Sequence, residues 1–180
     1  MAGIHTNFPQ VFPDPLPTTG LSADEQRAVD GLKRFQTDGF GYFQMQATRP
    51  QTVGYALADS PAGQAAWIYE QFHAWTDNTG DPESALIRDQ MLDDITLYWL
   101  TDSAASSARM YLENPASPNL GIVDLPVGCS IFPHEIFRVP RSWAERFIYW
   151  HELDRGGHFA AFEQPAVFTQ ELRACLRSLR

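Results

Sequence analysis

Pro9, Pro13, Pro15 and Pro17 stand within nine residues of one another near the start of this 180-residue chain. Each removes a backbone donor and locks φ, so residues 9–20 can form neither a helix interior nor a central strand and must run as an extended connector. The connector separates an opening strand, expected over residues 2–7, from a long stretch of helical signals. Ser22-Ala-Asp-Glu25 has the spacing of a capping box, Ser22 accepting from a first-turn amide and Glu25 reaching back, and Val29, Leu32 and Phe35 follow at helical intervals. This predicts a helix from about Ala23 to Thr37, stopped by Asp38-Gly39. Ser60-Pro61 opens another, with Trp67, Ile68, Phe72 and Trp75 as its apolar face and an end near Thr76. Asp77 to Glu83 has turn chemistry, and Asp89–Leu100 and Ser103–Leu112 read as two further helices. Residues 21–112 are thus expected to be nearly all helical.

The pattern changes after Asn114. Pro115 and Pro118 break the helical run, and Val127–Phe132 is a short apolar stretch typical of a buried parallel strand. Arg141–Phe147 reads as a brief helix and Phe147–Leu153 as a second strand rich in aromatics. A last amphipathic helix places Phe168, Leu172, Cys175, Leu176 and Leu179 on one stripe, with Arg173, Arg177 and Arg180 near its C-terminal end, where cations suit the dipole. The order strand, helical block, strand, helix, strand, helix assembles most simply as an α/β fold: a mostly parallel sheet with flanking helices and a helical insertion after its first strand. The expected segments are 1–20 for the first core strand and connector, 21–114 for the helical insertion and 115–180 for the rest of the sheet portion.

Composition narrows the function. Thirteen Lys and Arg against 22 Asp and Glu give a net charge of −9, the sign that repels phosphate backbones and anionic lipid, so nucleic acid and membrane surfaces are disfavoured as partners. No basic start leads into an apolar run, and no uninterrupted apolar stretch approaches the length of a membrane span. Cys129 and Cys175 lack Cys-x-x-Cys spacing; His73, His134 and His151 have no ligand partners at useful spacing; no glycine-rich phosphate loop occurs. The expectation is a soluble, cytoplasmic protein with no metal, nucleotide or flavin cofactor.

Arg155-Gly-Gly-His158-Phe-Ala-Ala-Phe-Glu163 follows a predicted strand and precedes a predicted helix, which sets His158 at the C-terminal edge of the sheet, where open α/β sheets bind their ligands. Gly156 and Gly157 allow the sharp turn that presents the imidazole. Phe132-Pro133-His134-Glu135 ends the preceding strand, so Glu135 has the same placement. A carboxylate one strand from a histidine is the orienting arrangement of an acid–base–nucleophile triad, and the chain order acid then histidine agrees with it. His134 is expected to pack or face solvent.

These residues carry a resemblance to the microsomal-type epoxide hydrolases of the α/β-hydrolase superfamily. The similar stretches are Gly41-Tyr42-Phe-Gln-Met-Gln, the run from Thr48 to Gly63, Leu97-Tyr-Trp, Ser107-Ala-Arg-Met-Tyr111-Leu-Glu-Asn, Phe132-Pro-His-Glu135 and Arg155-Gly-Gly-His158-Phe-Ala-Ala-Phe-Glu. The resemblance implies the C-terminal part of an α/β-hydrolase fold, with residues 21–114 as a helical lid. It implies that His158 activates water against a covalent ester, that Glu135 is its acidic partner, and that Tyr42 and Tyr111 are lid tyrosines hydrogen-bonding the oxygen of a small-molecule epoxide. The chemistry suits the residues: ring opening develops an alkoxide, which a fixed phenol can stabilise or protonate. Tyr55, Tyr69, Tyr98 and Tyr149 are expected in ordinary core packing.

The family pattern also requires a nucleophilic aspartate within Gly-x-Asp-x-Gly and an upstream His-Gly-x-Pro, and neither occurs in this sequence. The expectation is therefore a chain without the nucleophile-bearing N-terminal half, negligibly active by itself. Its first strand would present a bare edge, prone to self-association or to pairing with a complementing N-terminal half. Two other readings stand beside it. One is a non-catalytic remnant or complementation partner; the other is a different lidded α/β-hydrolase, such as a dehalogenase, which shares the histidine but does not call for the tyrosine pair.

Overall fold

The computed structural model describes residues 3–114 and 123–177. Residue 2 of the first expected strand, the breaks at Pro115 and Pro118, and Leu179 and Arg180 of the last helix lie outside the described residues. The chain divides into two compact units, one holding described residues 3–35, 75–77 and 123–177, the other 36–74 and 78–114.

The first unit is built on a three-stranded sheet of β1 (Ile4–Thr6), β2 (Val127–Ile131) and β3 (Tyr149–Glu152), in the order β1-β2-β3. Both pairings are parallel, with His5 opposite Gly128 and Ser130 opposite His151. Central β2 is buried on both faces: Cys129, Ser130, Ile131 and the following Phe132 are essentially inaccessible. Between β2 and β3 the expected helix to Phe147 is absent; only a single 3-10 turn forms, Arg141–Trp143. The Arg141 guanidinium bonds the carbonyls of Ala144 and Phe147, and the Ile148 amide bonds the Val127 carbonyl at 2.8 Å. The local amides make only short-range i,i+3 bonds, Phe147 N–H to the Ala144 carbonyl at 3.0 Å among them, and the chain enters β3 at Tyr149.

Helix α1 (Ala23–Arg34) starts on the capping box, Glu25 N–H donating to Ser22 Oγ at 3.3 Å and Ser22 N–H to Glu25 Oε2 at 2.9 Å. It ends earlier than expected, and Phe35–Gly39 form a π-helical turn. Although the sequence grouped α1 with the helical block, it belongs to the first unit. There Phe137 packs against Gly31, and the rings of Phe8, Phe12 and Phe35 lie 4.7, 5.6 and 5.7 Å from it. Phe12 thus anchors the proline connector.

Short α7 (Ala160–Glu163) leads into α8 (Pro165–Arg177). Its stripe differs from the sequence pattern, since Leu176 is exposed while Glu171 is buried beside Cys175. Glu171 tolerates burial because Oε2 accepts from Ser130 Oγ at 3.0 Å and Tyr149 OH at 2.8 Å and lies 2.9 Å from His151 Nδ1. His5 Nε2 extends the network from β1, 3.0 Å from Ser130 Oγ.

The second unit holds α2 (Gly41–Thr48), α3 (Pro50–Asp59), α4 (Pro61–Trp75, its last residue falling in the first unit), α5 (Arg88–Leu100) and α6 (Ala104–Glu113). Ser60 caps α4 through the Gly63 amide at 3.0 Å, as Ser-Pro predicts. Val53, Leu57, Ala104 and Ala108 form the core, with Trp67 against it. Helices α3 and α6 meet at Gly54, where a Cβ would sit 2.6 Å from Ala105 Cβ. Tyr55 and Tyr69, expected in core packing, are exposed: the buried face of α3 is Val53, Gly54 and Leu57, and Tyr55 falls outside it.

Candidate active site

The C-terminal ends of β1, β2 and β3 converge in the first unit, and each contributes polar groups to one cluster. Glu135 lies four residues beyond β2 and His158 six beyond β3. His158 Nδ1 is 2.5 Å from Glu135 Oε1. A carboxylate only accepts, so Nδ1 carries the proton and Nε2 keeps the lone pair that a base needs. The Glu135 side chain is 1% exposed and that of His158 25%, so the acid is sealed from solvent while the imidazole stays reachable.

The loop carrying His158 is held throughout. Gly156 has φ +99°, a conformation that favours glycine, and a Cβ there would lie 2.7 Å from the Phe132 ring. A Cβ on Gly157 would lie 2.5 Å from the Trp75 carbonyl oxygen, so both glycines of the motif are required sterically. The Gly157 amide donates to both oxygens of Glu163 at 3.1 Å, and the same carboxylate accepts from the Asp77 amide at 2.7 Å. Burial pushes the Glu163 carboxyl above its ordinary range, although these amides pull the other way. Asp77 in turn accepts from the Gly156 amide at 2.7 Å and lies 3.1 Å from His134 Nε2. His134 therefore faces solvent with one acidic neighbour. Around the imidazole stand the rings of Phe8, Trp75 and Phe159, with centroids 5.2, 5.3 and 5.2 Å away, all steeply inclined.

Within the second unit, Tyr42 on α2 and Tyr111 on α6 are brought together, with ring centroids 6.0 Å apart and edge to face. Burial raises both phenols, Tyr42 to about 12 with help from Tyr111, while a bond with Gln46 partly opposes the shift at Tyr111. A phenol is an O–H donor at physiological pH even at its ordinary pKa of 10, and the upward shift leaves both in that form. An open cleft of about 420 Å³ in this unit, walled by Leu97, Tyr98, Ser107 and Met110 among others, includes neither tyrosine. Among the described residues no cluster of His, Cys, Asp and Glu could hold a metal ion, and no helix is long and apolar enough to cross a membrane.

No family model matches the chain. A provisionally named epoxide hydrolase of Stigmatella aurantiaca is 66% identical over 185 residues, spanning all of this chain and 42% of that protein. Epoxide hydrolase 1 of Sus scrofa is 40% identical over 149 residues, or 74% of this chain and 33% of its own length. The solved structure of Aspergillus niger epoxide hydrolase superposes with a TM-score of 0.82 at 32% identity, covering 98% of this chain and 46% of that one. The chain belongs to the epoxide hydrolase family. Its fold is the C-terminal part of an α/β-hydrolase, and it spans less than half the length of these relatives.

In this member of the family the four sequence candidates fall into two pairs, Glu135 with His158 and Tyr42 with Tyr111. The supporting groups escaped sequence reasoning. Asn7, Trp75, Asp77 and Glu163 all bond the histidine loop or its partner, yet Asp77 read as turn chemistry and Trp75 as an apolar helix face. Glu163 alone had a usable signal, its place in the Gly-Gly-His motif.

Proposed function

We propose that this chain supplies the water-activating pair and the epoxide-binding phenols of an epoxide hydrolase that forms vicinal diols. The observation that carries the reading is the 2.5 Å contact between His158 Nδ1 and buried Glu135 at the end of a parallel sheet. An aspartate on a segment with Gly-x-Asp-x-Gly would open the ring, forming an ester to one carbon. Tyr42 and Tyr111 would donate to the oxygen as its C–O bond breaks. His158 Nε2 then takes a proton from water as its oxygen bonds the ester carbonyl carbon. Collapse breaks the ester C–O bond, the imidazolium returns the proton to the departing alkoxide, and Glu135 stabilises the cation in between; the regenerated aspartic acid releases the second water proton, which replaces the one the first alkoxide took from a phenol. The buried thiols of Cys129 and Cys175, which are not joined in a disulfide, support a reducing, cytoplasmic site of action.

A chimera tests this: the chain replaces its aligned stretch in the Stigmatella aurantiaca relative. Epoxide-to-diol turnover is expected in the chimera and negligible turnover in the chain alone. His158→Gln should lower turnover about 10²–10⁴-fold and leave the ester intermediate detectable by intact mass. Undiminished turnover in that variant would overturn the assignment. An inert chimera would favour a non-catalytic remnant, and activity on alkyl halides alone a dehalogenase.

A further inference from the structure

We infer that Asn7 is a positioning residue for the Glu135–His158 pair, fixing the carboxylate and the histidine backbone with one side-chain amide. The inference rests on the reading of that pair as the water-activating machinery. Asn7 is the first residue past β1, at the same sheet edge as the pair. Its Nδ2 lies 3.3 Å from Glu135 Oε2 and 3.1 Å from the His158 carbonyl oxygen. Both partners are acceptors, so the amide has only one workable orientation: turned over, Oδ1 would face two other oxygens. Its two hydrogens then go one to each partner.

The consequence is a division of labour within Glu135. Oε1 faces His158 Nδ1 and accepts the Ile136 amide at 2.9 Å, while Oε2 is held by Asn7. With the side chain shut off from bulk solvent, water does not readily replace a lost donor, and without Asn7 only the contacts at Oε1 would set the carboxylate's angle to the imidazole. The second hydrogen acts on His158 itself. Its carbonyl is held by Asn7 and its amide by the Trp75 carbonyl at 2.8 Å, so the peptide groups on both sides of the imidazole are tethered. The side chain that sets the carboxylate angle therefore also sets where the ring begins. Neither bond is local, the partners lying 128 and 151 residues away, so no turn or cap explains Asn7.

Proton NMR of the purified chain tests this without turnover. A strongly downfield resonance from the Nδ1 proton of His158, assigned by its loss in His158→Gln, is expected in the unsubstituted chain. Asn7→Asp, similar in shape but lacking the donor, should shift it upfield or broaden it away. Asn7→Ser serves as the second variant if the first fails to fold, with circular dichroism as the check on folding. In the chimera, the same substitutions should slow ester hydrolysis about 10–100-fold in single-turnover measurements and leave the rate of ester formation nearly unchanged. A merely structural role would reduce the folded fraction and leave the resonance of the folded fraction in place. A downfield resonance unaltered in both variants overturns the inference, as does its absence from the unsubstituted chain. An inert chimera whose resonance still responds to Asn7 upholds the positioning role and overturns only the functional reading.

Discussion

Trp75 holds His158 at two points: its carbonyl oxygen accepts the His158 amide at 2.8 Å, and its indole stands 5.3 Å from the imidazole at 73°. The two residues are far apart in sequence, so the end of α4 and the end of β3 must both be formed before the histidine is placed. The main-chain bond survives any substitution of the side chain, which lets the ring's share be measured. Trp75→Phe keeps an aromatic edge and should cost about 1 kcal/mol, while Trp75→Ala, which removes a half-buried ring, should cost about 2–3 kcal/mol in urea unfolding. Equal costs for the two would show that the ring contact contributes little.

Helix propensity and packing can be separated in the second unit. Gly41 opens α2 with nothing within 4 Å of the place a Cβ would take, so Gly41→Ala should stabilise by about 0.5–1 kcal/mol. Gly54→Ala has the same propensity gain but drives its methyl to 2.6 Å from Ala105 Cβ and 2.7 Å from Ala105 Cα. The backbone of α6 cannot yield cheaply, and a net loss of about 1–3 kcal/mol is expected. Thermal melts of the two variants should therefore move in opposite directions.

Stability should fall in two stages on acidification. Burial, partly offset by Glu171, lowers the pKa of His5 from its ordinary 6.5, so the unfolded chain takes up that proton first and stability declines as pH drops below about 6.5. Burial alone would raise Glu171, but the hydrogen bonds from Tyr149, His151 and Ser130 outweigh it and hold the carboxyl below its ordinary 4.5. Its contribution is present above that value and disappears as pH falls through the depressed folded pKa. Urea midpoints measured from pH 7 to pH 3 should show both declines, and Glu171→Gln should remove the lower one. A lower stage that persists in this variant would assign it to other carboxylates.

Much of the local architecture was legible in the sequence because its causes lie within a few residues. Four prolines enforce an extended connector, Ser22 and Glu25 cap α1, Ser60 and Pro61 start α4, and an apolar run gives the buried strand β2. The Gly-Gly-His motif and the resemblance around Tyr42, Tyr111 and Glu135 singled out four side chains, and the fold brought them into two pairs. Failures came where a distant group competed with local preference. The Val127 carbonyl of β2 took the Ile148 amide where a short helix was expected, and Glu171 took a buried place on α8 because donors from β2 and β3 met it there.

The sequence by itself determined where the chain turns, which long segments are helical, and that a histidine follows a strand with two glycines before it. Beyond the Glu135 partner that the sequence pointed to, only the tertiary structure decided what holds that histidine. Asn7, Trp75, Asp77 and Glu135 come from separated places in the chain, and their bonds to the loop and to each other form only when the strand ends converge. Hydrogen bonds depend on distance and direction in space, and neither is encoded within any one segment.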